Sequence, residues 1–254
     1  MDNKTSTMNK KISLETPDSH WKSLHKISGI SAYVIAFLLL GEVFVYSVVP
    51  NPTTTTGYLE LFLKNPLFGL LHFDLLGMVS YLLFIPLILS LYIVIKEQSE
   101  TIMLIAAVLF FVGIAVFYAT NTSFSMLSIS TQYASSETDV ERNMLLTSFQ
   151  TMVTLFKVQA FMVSYIIVSL AWLMIGCVMI WSKLFNKLTA SMGILAGASG
   201  IFAEILENTS KSFIKVAIAF YFAAIVFLFI WVLIIGKKLI YIGANLDKSK
   251  NNNC

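Results

Sequence analysis

Charged residues are scarce. Asp, Glu, Lys and Arg make up 12% of the 254 residues, against 57% hydrophobic, and a water-soluble domain of this length needs far more polar surface than that. Cysteine is scarce as well: Cys177 falls in an apolar run and Cys254 is the last residue, different environments that speak against a disulfide between them. The ending NNNC lacks the prenylation pattern. Of three histidines, His20 and His25 belong to one side of the chain's apolar core and only His72 to the other, so the several-histidine sets of intramembrane zinc hydrolases cannot be assembled. No HExxH, CxxC, GxSxG or GxxxxGK occurs, which removes the usual signatures of metal hydrolysis, thiol redox chemistry, serine hydrolysis and phosphate cradling. Ser80 and Ser164 stand in apolar runs without a His–acid pair at matching depth and read as hydrogen-bond partners of neighbouring helices. Neither a metal nor a cofactor is expected, and enzyme is the least favoured class. The net charge of +3 is dispersed, with no basic stripe interleaved with aromatics, so nucleic acid is not an expected partner.

What the chain has in abundance is long apolar runs, and its mean hydropathy is +0.80. Crossing roughly 30 Å of hydrocarbon takes about 20 helical residues. Six runs meet that length: Ile27–Val49, Leu67–Ile95, Thr101–Ala119, Gln159–Trp181, Leu188–Leu206 and Phe213–Ile235. The second contains Pro86, where a missing backbone donor predicts a tilt or kink. The fifth, rich in Ala, Gly and Ser, also fits a soluble hairpin helix. The polar residues before the first run exceed a signal peptide's leader and no small-residue cleavage site comes after it, so the first span is expected to be a retained anchor. With both termini on one face, that face carries 12 of the 17 Lys and Arg residues and the other face 5. The positive-inside rule then predicts a cell-membrane protein with both termini cytoplasmic.

The chain divides into three regions: a cytosolic tail and interfacial lead-in over 1–26, a six-span domain over 27–236, and a cytosolic tail over 237–254. Residues 1–20 show no apolar periodicity and are expected to be flexible. YLELFLKNP in the first outer loop reads as a segment resting on the membrane surface. Between the third and fourth spans, Thr138 with Glu141 has capping-box form. Val140, Met144, Phe149, Val153 and Phe156 after it fall on one helical face. The fold expected is all-α, a six-helix transmembrane bundle with an amphipathic outer-surface helix that runs or bends into the fourth span.

The segment LSISTQYASSETDVERNMLL, together with KLFNKLTASMGILAGASGI, an acid late in the first span (Glu42) and another early in the second (Asp74), resembles a family of prokaryotic multi-pass membrane proteins known only as a domain of unknown function. The resemblance covers most of residues 27–236. It implies the topology and carries no catalytic or binding residue.

Alternating the spans places the strongly polar residues at one level. Glu42 lies about 12 Å below the outer end of the first span, and His72 and Asp74 roughly 8–10 Å down the second, at about 1.5 Å per residue. Tyr118 ends the third span, Lys157 and Gln159 open the fourth, Glu204 nears the end of the fifth, and Lys215 is early in the sixth. A charge at the bilayer centre costs at least about 2.5–3.5 kcal/mol, less toward the interface. The expected arrangement is therefore mutual, with acids and lysines paired around a small wet cavity that opens outward. On a single helix the H-x-D spacing would set His72 and Asp74 about 200° apart.

Gly193 and Gly197 form GxxxG, and Ala196 and Gly200 repeat the small-residue spacing. Such a face suits close helix packing, within one bundle or between copies. The functional expectation is an uncharacterised membrane protein that binds or transports a small solute, ion or proton. The alternative is a non-transporting accessory or sensor protein packed against a partner. In both, the lipid bilayer is the surrounding partner, and a homo-oligomer stays open.

Overall fold

The computed structural model describes residues 21–251. The expected flexible tail over 1–20 and Cys254 lie outside them.

Helix α1 (Lys22–Val48) begins just after Trp21 and runs through the first apolar stretch. The loop after it carries α2 (Thr55–Lys64), where Thr54 Oγ1 accepts from the Gly57 N–H at 3.1 Å. Next is a short helix α3 (Pro66–His72); Asn65 accepts from the Phe68 N–H and Pro66 occupies the first turn, where a missing N–H costs nothing. The chain then breaks at Phe73 and Asp74 before α4 (Leu75–Ile95), which continues through Pro86. The second span thus starts at Leu75 and not at Leu67. Asp74 is the one non-glycine residue with positive φ among those described, at φ 65° and ψ 37°, a left-handed conformation that ends helices and that Asp tolerates better than most residues.

Helix α5 (Glu100–Thr120) passes a break at Asn121 and Thr122 into α6 (Ser123–Ser135). Helix α7 (Asp139–Leu155) passes through a π-helical turn, Phe156–Val163, into α8 (Ser164–Trp181). The stretches Glu100–Ser135 and Asp139–Trp181 span 36 and 43 residues, well beyond the roughly 20 needed to cross. Their α6 and α7 ends therefore extend past the bundle as a helical hairpin. The cap at Thr138 forms, its Oγ1 accepting from the Glu141 N–H at 3.2 Å. Only the later half of the α7 apolar face is buried, at Phe149 and Val153 with Phe156 beyond, whereas Val140 and Met144 are exposed, because α7 continues along the axis of α8.

Helix α9 (Lys187–Thr209) is the fifth span. Helix α10 (Ile214–Asn251) is the sixth and continues as helix into the expected tail as far as Asn251. The described residues hold six helical stretches long and apolar enough to cross a membrane and no strand. Helix α1 packs between α4 and α10, α9 between α10 and α8, and α5 closes the ring against α8 with a lighter contact to α4. In lipid there is little hydrophobic drive between helices, so close packing must supply the cohesion. A Cβ on Gly29 would lie 2.9 Å from the Gly236 carbonyl oxygen, and one on Gly236 would lie 2.9 Å from Ala32 Cβ, which shows how tightly α1 and α10 meet. On α9, a Cβ at Gly193 would reach Trp231 Nε1 at 2.7 Å, one at Gly197 would reach Leu173 N at 2.6 Å, and one at Gly200 would strike Ser169. Ala196 is fully buried. The GxxxG face is filled by α8 and α10 of the same chain.

Candidate functional site

At the end of the bundle bearing α2, α3 and the α6–α7 hairpin, the helix break sets the geometry. With His72 closing α3 and Asp74 preceding α4, the two no longer share a continuous helix, so the angle expected from H-x-D spacing does not apply. His72 is buried, its Nε2 2.6 Å from the Val49 carbonyl oxygen and its Nδ1 2.9 Å from that of Phe68. A neutral imidazole donates to one of these acceptors and an imidazolium to both. Tyr46 stands edge-on to the ring with centroids 5.4 Å apart. His72 thus joins the loop after α1 to α3 by backbone contacts and has no nitrogen left for a ligand.

The Asp74 carboxylate folds back over Gly77, where any Cβ would collide with it. Glu42 of α1 and Asp74 are electrostatic neighbours. Around them stand Tyr46 of α1, Tyr81 of α4 and Tyr118 of α5, each within the field of Asp74. The Tyr118 hydroxyl donates to the Met78 carbonyl. Tyr165 of α8, which comes directly after the π-helical turn and Ser164, is a neighbour of Glu204, Glu42 and Asp74 together. It also lies 6.1 Å from Tyr221 of α10, centroid to centroid. Glu204 is only 2% exposed and faces Tyr221. Neither Glu204 Oε1 nor the Tyr221 hydroxyl completes an aligned hydrogen bond among the described residues, and Ser80 and Ser164 have unpartnered hydroxyls in the same interior. The π-helical turn matters because its extra residue rotates the rest of the helix about its axis, a device common at functional sites.

Among the described residues the expected pairing of acids with lysines is not seen. Lys157 and Gln159 are exposed on the π-helical turn, with Lys157 Nζ 5.0 Å over the Tyr58 ring, and Lys215 is exposed on α10. Glu204 is buried and Glu42 and Asp74 are half-buried, whereas these cations are exposed. Aromatic rings pack beside the acids. Phe73 packs against Tyr58, Phe62 and Phe156 at centroid distances of 5.1, 5.6 and 4.9 Å, and Phe62 against Phe149 at 6.0 Å. These rings cover the break beside Asp74. Burial pushes the Tyr58 phenol up from its ordinary range, and the Glu207 carboxylate adds to the effect, so Tyr58 stays a neutral ring beneath Lys157.

Glu42 and Asp74 thus act on each other electrostatically, Tyr118 lies in the field of Asp74, and Tyr165 feels Glu204 as well as both of these acids. His72 is adjacent but engaged, and Lys157, Gln159 and Lys215 stand apart. The polar pattern of the sequence does not single out Tyr46, Tyr81, Tyr165 and Tyr221. Their only signal is tyrosine, an aromatic with a polar end, inside apolar runs otherwise rich in phenylalanine.

Among the described residues no group of three or more His, Cys, Asp and Glu side chains is arranged to hold a metal ion. The fold and this acid–tyrosine interior define a multi-pass α-helical membrane protein. Residues 29–236 match the family described as Domain of unknown function (DUF4386), and the chain belongs to that family. Comparison with curated proteins and with solved structures gave no match.

Proposed function

We propose that the protein binds and passes protons or small monovalent cations along the acid–tyrosine interior, in the cell membrane with both termini cytoplasmic and the hairpin outside. The observation that supports this is the electrostatic proximity of Glu42 and Asp74, with no cation paired to either among the described residues, and of both to Tyr165, which also feels Glu204, an acid with one oxygen unpartnered. Like charges held close in a poorly solvated interior require a proton or cation between them. The tyrosine hydroxyls supply groups that can both donate and accept along the way.

Purified protein in proteoliposomes carrying an internal pH dye tests the reading. The wild type is expected to dissipate an imposed pH or sodium gradient, and Glu42→Gln, Asp74→Asn and Glu204→Gln are each expected to abolish the flux with folded yield unchanged. A wild type that moves neither ion would overturn it. A second reading, an accessory or sensor protein, draws support from the hairpin, where Val140 and Met144 are 71% and 67% exposed; it predicts no flux and a hairpin needed for capture of a membrane partner.

A further inference from the structure

At the opposite end of the bundle, a hollow of about 400 Å³ opens between the α8–α9 turn and α10. Leu184, Phe185 and Asn186 line one wall, and Ile234, Lys237 and Lys238 the other. Its depth in a bilayer is set by helix geometry. Roughly 35 Å of α10 separate Ile214 from Lys237 at about 1.5 Å per residue, a little more than the roughly 30 Å hydrocarbon core. The two lysines therefore stand at headgroup level and Ile234 at the edge of the acyl region. Exposed Trp181 and Tyr241 flank the same level, as aromatics do at a membrane interface.

The walls are complementary to a particular chemistry. Neither Lys237 nor Lys238 has a carboxylate within ion-pair distance among the described residues, and Lys238 Nζ rests 5.7 Å from the Tyr241 ring. Asn186 Oδ1 already accepts from the Thr189 N–H at 2.8 Å and the Thr189 hydroxyl at 2.7 Å. That fixes the side chain in place and leaves its Nδ2 hydrogens free to donate. Leu184, Phe185 and Ile234 give the hollow an apolar floor. Two ammonium groups and an amide above an apolar floor, at headgroup depth, suit a phosphodiester that carries an acyl chain better than they suit a freely soluble anion.

We propose that this hollow is a binding site for one anionic phospholipid, its phosphate between Lys237, Lys238 and Asn186 and its acyl chain along Ile234. The site is independent of any ion passage at the other end.

Native mass spectrometry of the full chain, released from nanodiscs of phosphatidylcholine with a minor fraction of phosphatidylglycerol, tests it. One phosphatidylglycerol is expected to stay with each chain in preference to phosphatidylcholine. At about 1 kcal/mol per lysine, Lys237→Gln/Lys238→Gln is expected to lower its retention roughly 30-fold. Lys96→Gln, which removes a charge at the same end away from the hollow, is expected to change nothing. Equal retention of the two lipids by the wild type would overturn the proposal even if the double variant failed to fold. So would unchanged retention in the double variant, an equal loss in Lys96→Gln, or displacement of the lipid by inorganic phosphate.

Discussion

His72 Nε2 lies 2.6 Å from the carbonyl oxygen of Val49, 23 residues earlier in the chain, and so ties the end of α1 to the start of the broken second span. Removing the ring takes away the donor that bridges the Val49 and Phe68 carbonyl oxygens in a part-buried setting. His72→Ala is expected to destabilise the protein by about 1–3 kcal/mol, read as a lower unfolding temperature in detergent. His72→Gln, which can still donate to one carbonyl, should recover part of the loss. A variant as stable as the wild type would show that the contact is dispensable.

Asp74 and Gly77 depend on each other sterically, since a Cβ at 77 meets the carboxylate at 74. Gly77→Ala is expected to cost about 1–3 kcal/mol by overpacking, and most of that cost should vanish in Asp74→Ala/Gly77→Ala. The coupling is measured by a double-mutant cycle on unfolding in detergent; strictly additive effects would contradict the geometry.

Glycines separate into rigid and forgiving sites. A Cβ at Gly197 meets backbone atoms of α8, including Leu173 N at 2.6 Å, whereas one at Gly41 meets only Leu76 Cδ1 at 3.2 Å. Gly197→Ala is expected to lower folded yield sharply, because two helix backbones must separate, and Gly41→Ala to change it little, because one side-chain end can move. Size-exclusion profiles of the two variants make the comparison.

Glu204 distinguishes a functional acid from a structural one. A buried carboxylate with an unpartnered oxygen contributes little to stability, and its replacement by an apolar residue of similar size is often neutral or favourable. Glu204→Leu is expected to unfold no more easily than the wild type while losing any ion flux. A loss of several kcal/mol would mean that the carboxylate holds the bundle together.

Sidedness is open to a direct check. In a background with Cys177 and Cys254 changed to Ser, Met144→Cys on the exposed hairpin is expected to react with an impermeant maleimide on intact cells, and Leu184→Cys only after permeabilisation. The reverse pattern would invert the proposed orientation.

The sequence by itself determined the class and the number of crossings, because the price of unsatisfied backbone in hydrocarbon forces any long apolar run into helix; each of the six runs it marked overlaps a membrane-length helix. The capped α7 and the small-residue face of α9 were legible for the same reason, being local in pattern. Three features were decided only in the folded chain. The break at Asp74 depends on a left-handed residue that no periodicity announces. The π-helical turn that carries the exposed Lys157 interrupts an otherwise regular helical pattern. The exposure of Tyr165 to the fields of Glu42, Asp74 and Glu204 depends on the order in which the helices close their ring. Depth along a helix can be counted from sequence, but the direction a side chain faces around it is set by neighbours that lie far away in the chain.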